Sequence, residues 1–177
     1  MAQITVSVEY ALHCLLWLVG AEGRPASSRE LAELQGVSPT FLAKIFPKLE
    51  KAGIVRSADG VAGGYALARA PGEISVLEVV DAIEGTKPLF DCREIRGRCA
   101  LFGNQPPGWA TRGTCSIHSV MLRAEKAMRA ELAASSLDDV AQAVDRKAPA
   151  SFAGEVEAWL DARAGQRATG GGRQRGP

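Results

Sequence analysis

The sequence predicts a mainly α-helical fold that carries one small β-hairpin. Apolar residues recur at helical spacing in several segments, most clearly in residues 41–49 and 116–134. By contrast, residues 54–67 contain two short strand-like runs separated by a glycine-rich turn. With 177 residues, 46% of them hydrophobic, the chain is long enough for one domain with a core and an accessory element.

Two helices joined by a tight turn are predicted upstream of the hairpin. Ser27 is a suitable N-cap, and Glu30 stands three residues later, as in a capping box. Gly36 is placed to end this helix in the left-handed conformation that glycine adopts without steric cost. Ser38 is predicted to cap the second helix, with Pro39 at its first position.

The predicted hairpin follows the second helix directly. Residues 54–55 and 65–67 flank the glycine-rich loop 59–64. A helix, a turn, a second helix and a hairpin together make a winged helix-turn-helix, whose second helix enters the major groove of DNA. A small helical module with a solvated lysine face also fits the apolar periodicity. The ordered caps, the turn glycine and the Gly-Gly-Tyr run favour DNA binding.

Charge supports this interpretation only locally. The net charge of the chain is +1, so overall basicity does not indicate a nucleic-acid partner. Within residues 44–56, however, three lysines and one arginine oppose only Glu50. The residues expected to contact double-stranded DNA are Ser28, Ser38, Pro39, Thr40, Lys44, Lys48, Arg56, Gly63, Gly64 and Tyr65.

The first predicted helix, residues 5–21, carries two candidate metal ligands. Glu9 and His13 are four residues apart and therefore neighbours on one helix face, where both can reach one metal atom. On spacing alone, a surface pair of modest stabilising effect is favoured over a metal site. Cys14 is expected to be a buried small hydrophobic residue rather than a ligand.

Three of the four cysteines lie in one segment, residues 90–118, which we call the cysteine segment. Cys92, Cys99 and Cys115 are accompanied by His118, and the glycine- and proline-rich sequence predicts an irregular loop. Thiolates bind soft metals and iron–sulfur clusters, and imidazole can replace a thiolate on one iron. Zinc is disfavoured because no C-x2-C pair occurs.

Other interpretations of these thiols stay open. They could be incidental groups on a mobile loop, or they could form a thiol–disulfide switch without any metal. An enzyme with a cysteine nucleophile is disfavoured, because no glycine motif for an oxyanion hole or a cofactor lies near them.

The rest of the sequence predicts a dimer interface, the division of the chain into regions and a cytoplasmic location. The long helix 116–134 suggests a dimer interface, which suits a palindromic operator, although intramolecular packing is the alternative. Shorter helices are predicted at 136–144 and 152–163, and a disordered tail at 169–177. The predicted division is a DNA-binding domain (1–85), a cluster loop (86–115), a dimerisation region (116–145) and a C-terminal helix with tail (146–177). No transmembrane run or signal peptide is seen, which predicts a cytoplasmic protein with no membrane partner.

The run from residue 37 to residue 85, with GGYALAR at 63–69 and AIEG at 82–85, resembles the IscR/NsrR-like regulators, the Rrf2 family. The likeness extends over about residues 4–145. It implies a homodimeric transcription factor, not an enzyme. In such a factor a [2Fe–2S] cluster bound beyond the wing senses redox state or nitric oxide and controls DNA affinity.

The resemblance also implies a ligand set. Residues 8–13, VEYALH, are similar to those of members that hold the cluster between subunits with one glutamate, one histidine and two cysteines. The implied ligands are Glu9, His13, Cys92, Cys99 and Cys115, with His118 as an alternative fourth ligand. One departure concerns the wing, where Asp59 stands at a position that often carries arginine in the family.

Overall fold

The computed structural model describes residues 4–21, 23–60 and 63–170, with side chains described as far as residue 166. The helices are α1 (Val6–Gly20), α2 (Ser28–Gln35), α3 (Pro39–Lys51), α4 (Val76–Glu84), α5 (Gly108–Thr111), α6 (Ser116–Ala134), α7 (Leu137–Asp145) and α8 (Phe152–Gly170). The strands are β1 (Val55–Ala58) and β2 (Gly64–Leu67), and single 3₁₀ turns occur at Pro71–Glu73, Arg96–Arg98 and Ala100–Phe102. The prediction of a mainly α fold with one hairpin is confirmed.

The described residues form two compact units. The first contains the residues up to Gly85 together with those from Leu132 onward, and the second is Thr86–Glu131. The predicted division into four successive ranges stays a prediction. Within the described part of the chain, no helix combines the length and apolar character that a membrane span requires.

The core of the first unit is formed by helices α1 to α4, the hairpin and the start of α7. Its largest fully buried side chains are Phe46, Leu15, Leu18, Leu31, Leu42, Leu49, Ile54, Ile74 and Leu137. Cys14 belongs to this core with 0% exposure, which confirms the expectation that it is a buried hydrophobic residue.

The local signals around the helix-turn-helix operate largely as predicted. The Ser27 hydroxyl accepts from the backbone N–H of Glu30, and the Glu30 carboxylate accepts from that of Ser27, a complete capping box. Gly36 ends α2 with φ of 72°. Ser38 takes the N-cap position of α3 in an extended conformation, but its side chain makes no capping hydrogen bond.

The hairpin is antiparallel, with Val55 opposite Leu67 and Ala58 opposite Gly64. Its second strand also pairs with Ala26, two residues before α2, since Ala26 and Tyr65 exchange backbone hydrogen bonds of 3.0 and 2.8 Å. Two residues of the predicted loop 59–64, at positions 61 and 62, lie outside the described residues.

The C-terminal helices complete the first unit. Ser136 and Asp139 form a capping box at the start of α7, as at α2. Helix α8 packs against α1 through Trp17 and Phe152, whose ring centroids are 6.0 Å apart, and Arg24 forms an ion pair with Asp161. It extends beyond the predicted end at residue 163. It also includes residues 169 and 170, which were predicted to begin a disordered tail, so that prediction is wrong for these two residues; residues 171–177 lie outside the described residues.

Candidate DNA interface and cysteine segment

Helix α3 has one face in the core and one face open to solvent. Its apolar residues Leu42, Ile45, Phe46 and Leu49 are buried. On the other side, Ser38, Pro39, Thr40 and Lys44 are exposed at and near the N-terminus of the helix. This is the end from which the second helix of a helix-turn-helix contacts base edges, so these four predicted residues lie together on an accessible surface.

Lys48 lies one turn further along the same helix and has a partner within the protein. Its ammonium donates a hydrogen bond of 2.9 Å to the backbone carbonyl of Ile83, in the last turn of α4. A cation near the C-terminus of a helix is stabilising, because the unpaired carbonyls carry partial negative charge. Lys48 therefore joins α3 to α4, a role that no local sequence signal indicated.

The predicted wing residues have clear structural roles. A Cβ on Gly64 would lie 2.5 Å from the backbone carbon of Ala26, and one on Gly63 would lie 2.5 Å from the carbonyl oxygen of Ala58. Both glycines are thus required by close backbone approach. The ring of Tyr65 packs on Phe46 at 4.7 Å between centroids, which fixes the wing against α3.

Charged groups surround the base of the wing. Glu50 accepts a hydrogen bond of 3.1 Å from the backbone N–H of Ser57, and burial together with this carboxylate raises the pKa of Tyr65. Arg56 is exposed on β1, and Asp59, the residue directly after this strand, is exposed as well. The remaining predicted contact, Ser28, is half-buried at the first position of α2.

The second unit contains the three cysteines of the cysteine segment as free thiols. Cys92 and Cys115 are half-buried and Cys99 is exposed. The segment was expected to be irregular, but it contains two 3₁₀ turns and the short helix α5. His118 is half-buried in the first turn of α6, with its ring 6.0 Å from that of Phe90.

Arg96 joins two parts of the cysteine segment that are distant in sequence. Its guanidinium donates to the backbone carbonyls of Thr111, Arg112 and Gly113 at 3.3, 3.3 and 3.0 Å, just before Cys115. It also forms an ion pair with Glu94, a residue in the left-handed region with φ of 47°. We call this set of contacts the Arg96 bridge.

The Arg96 bridge places a fixed positive charge near the thiols. The hydrogen bond to Glu94 is the largest influence that raises the pKa of Arg96, and Cys115 and Cys92 raise it further through their charge. The pKa of Glu94 is lowered, mainly by the hydrogen bond from Arg96 and also by His118. Two cysteines and the histidine thus lie within the electrostatic reach of one ion pair.

The candidate metal ligands do not converge within the described residues of one chain, where no group of three or more histidine, cysteine or acidic side chains could hold a metal ion. Glu9 and His13 are both exposed on α1. The donor chemistry still fits an iron–sulfur cluster, because the three cysteines of the segment form no disulfide and their sulfurs are available as ligands.

Cys14 differs from the other three thiols. Burial raises the pKa of its thiol from 9.0 to about 12. Metal ligation requires the thiolate form, so this residue is unsuited to a cluster.

The fold and the exposed α3 surface define the class of the protein: it is a winged-helix, DNA-binding transcriptional regulator rather than an enzyme. The chain belongs to the Rrf2 family, described as "Iron-dependent Transcriptional regulator", whose family model matches residues 4–143.

Known proteins of similar sequence and structure agree with this assignment. The HTH-type transcriptional regulator IscR of Aliivibrio salmonicida is 34% identical over 94 residues, which cover 53% of this chain. The chain spans about half the length of that relative, 52%. The structure of T. potens IscR has a TM-score of 0.62 and 27% identity, and the match covers 83% of this chain and 91% of that one. The structure of an oxidized form of Staphylococcus aureus CymR has a TM-score of 0.56 and 25% identity, and the match covers 80% of this chain and 96% of that one.

Proposed function

We propose that this protein is a cytoplasmic, homodimeric regulator that binds a palindromic operator and responds to redox state or nitric oxide through a [2Fe–2S] cluster. The observation that carries the proposal is the Arg96 bridge, which joins the carbonyls just before Cys115 to an arginine that lies between Cys92 and Cys99 in the sequence. Membership of a family described as iron-dependent supports the same conclusion.

The proposed ligands come from two protomers. Cysteines of one subunit and the Glu9–His13 pair of the other together supply two thiolates, one carboxylate and one imidazole. The absence of a three-ligand group in the described part of a single chain is compatible with a site completed by a second copy. Exposed apolar side chains on α6, Ile117, Val120 and Leu122, are a suitable surface for such a dimer.

The proposed coupling to DNA uses the structure of the first unit. Glu9 and His13 belong to α1, which packs directly on α2 and α3 through the shared core. A bound cluster would supply a charge that changes with oxidation state. A change in how the ligands of α1 are held would alter the positions of the two α3 helices of the dimer, and DNA affinity would follow.

Anaerobic purification tests the proposal. Iron and sulfide analysis with a visible spectrum is expected to show a [2Fe–2S] chromophore, and operator binding is expected to change after dithionite treatment. Glu9→Ala and His13→Ala should lose or alter the spectrum, whereas His118→Ala should leave it unchanged. A colourless, iron-free protein would refute the cluster, and loss with His118→Ala alone would refute the ligand set.

A cluster-free thiol–disulfide switch is the second candidate. It is favoured by the three free thiols of the cysteine segment, Cys92, Cys99 and Cys115, and by the relative CymR, which was crystallised in an oxidized form. Mass spectrometry after mild peroxide treatment separates the two candidates. A disulfide between two of Cys92, Cys99 and Cys115 that forms in iron-free protein and changes operator binding would support the switch.

A further inference from the structure

A largely apolar cavity of about 330 Å³ lies in the first unit, between α1, α7 and α8. Its walls include Leu16 and Trp17 of α1, Val144 of α7, and Phe152, Val156 and Leu160 of α8. Helix α8 lies wholly outside the matched family region, residues 4–143. This cavity is therefore partly built by a segment that the family model does not cover.

The walls are held by specific contacts. The indole N–H of Trp17 donates to the Gln35 side chain at 2.9 Å, and its ring contacts Phe152 edge to face. Helix α8 is further fixed by an ion pair of 3.1 Å between Arg163 and Glu33. A cavity with positioned walls is a preformed ligand pocket, and the volume lies at the lower end of the range of about 300–1,000 Å³ for such pockets.

The lining of the cavity includes two carboxylates. The ionisable residues that line it are His13, Asp145 and Glu157, and no lysine or arginine is among the lining residues that the structure describes. Glu157 lies 3.8 Å from Arg24, which compensates part of its charge. Asp145 is exposed and forms no ion pair within the described residues. An occupant with one positive charge would compensate this carboxylate.

We propose that this cavity binds a small, mainly hydrophobic molecule that carries one basic nitrogen. The apolar walls would bury the hydrocarbon part, and the ammonium would lie toward Asp145. The size of the cavity fits a single aromatic ring with a short alkyl chain. The proposal rests on the geometry of the cavity and not on the proposed cluster, although one lining residue, His13, is also a proposed cluster ligand.

Three probes with one scaffold test the proposal by calorimetry on the full-length protein: 4-phenylbutylamine, 4-phenylbutanol and 4-phenylbutyrate. The amine is expected to bind saturably and about tenfold or more tighter than the carboxylate, with the alcohol between them. Binding should also raise the Tm, because the ligand binds only the folded state. Equal affinity for amine and carboxylate, or no saturable binding, would overturn the proposal.

Two variants locate the binding site. Asp145→Asn should weaken amine binding to the level of the alcohol, whereas Asp138→Asn, the same change on the same helix away from the cavity, should have no effect. Ala141→Phe should fill the cavity and abolish binding of all three probes. If binding survives both Asp145→Asn and Ala141→Phe, the probes bind elsewhere and the proposal fails. If the wild type binds no probe and Ala141→Phe alters the oligomeric state, a second copy occupies this surface instead.

Discussion

The ammonium of Lys48 in α3 donates a 2.9 Å hydrogen bond to the backbone carbonyl of Ile83 in α4. The neighbouring basic residue Lys44 is exposed, one turn nearer the N-terminus of α3. Two lysines of one predicted DNA surface thus have different surroundings, and their substitution should have different consequences.

Lys44→Ala is expected to weaken operator binding and to reduce its salt dependence by about one unit of slope, with little change in stability, because it removes the predicted phosphate contact of an exposed side chain. Lys48→Ala should in addition lower the free energy of unfolding by about 1 kcal/mol, through loss of the bond to Ile83. Anisotropy titrations at several salt concentrations and urea unfolding measure the two effects. An unchanged urea midpoint for Lys48→Ala would contradict the structural role.

Gly64→Ala should destabilise the protein by roughly 1–3 kcal/mol, because the added methyl group would enter the backbone of Ala26 at 2.5 Å and force the wing outward. Operator affinity should fall with it. Gly72→Ala is the matched control, since a Cβ there meets nothing within 4 Å. Urea unfolding of both variants tests this; similar stability for the two would show that the wing does not need the close approach.

Arg96→Ala should loosen the cysteine segment, because the carbonyls of residues 111–113 lose their shared donor. Limited proteolysis between residues 94 and 113 should become faster. Iron retention against a chelator should fall about tenfold or more, the usual effect of losing a group that orients ligands. Arg98→Ala removes an exposed arginine nearby and serves as control. Identical proteolysis of the two variants would argue against the Arg96 bridge.

Cys14 should resist alkylation in the folded, iron-free protein, while Cys99 reacts readily, because the first thiol is fully buried and the second is exposed. Burial raises the folded-state pKa of Cys14 to about 12 from 9.0, so the thiol form is favoured by folding. The contribution of the protonated Cys14 thiol to the free energy of unfolding is complete below pH 9 and is lost as the pH rises toward 12. Mass spectrometry after iodoacetamide treatment reads out the order of reaction; labelling of Cys14 together with Cys99 would contradict it.

The local parts of the fold could be predicted from the sequence because their interactions span only a few residues. The capping box at Ser27 joins residues three positions apart, and Gly36 ends α2 through its own left-handed backbone conformation. The buried face of α3 follows from the 3.6-residue period of a helix, which sequence spacing displays directly. The Rrf2 resemblance rested on the same residues and is confirmed by the family match.

Other features were decided by contacts between residues distant in sequence. Lys48 and Ile83 are 35 residues apart, and Arg96 reaches carbonyls 15 to 17 residues away. Gly64 was predicted as a wing residue, but the reason for a glycine there is the backbone of Ala26, which only folding brings near. No sequence pattern distinguishes Arg96 from Arg93 or Arg98 within the cysteine segment.

The sequence by itself determined the class of protein, because a winged helix-turn-helix is specified by caps, turns and periodic apolar residues that act over short distances. Only the tertiary structure decided which lysine hydrogen-bonds to α4, which arginine joins distant parts of the cysteine segment, and where α8 helps to form a cavity. These features depend on how separate elements pack together. Every residue has a backbone carbonyl, so the sequence does not indicate which carbonyl accepts a hydrogen bond from a distant side chain.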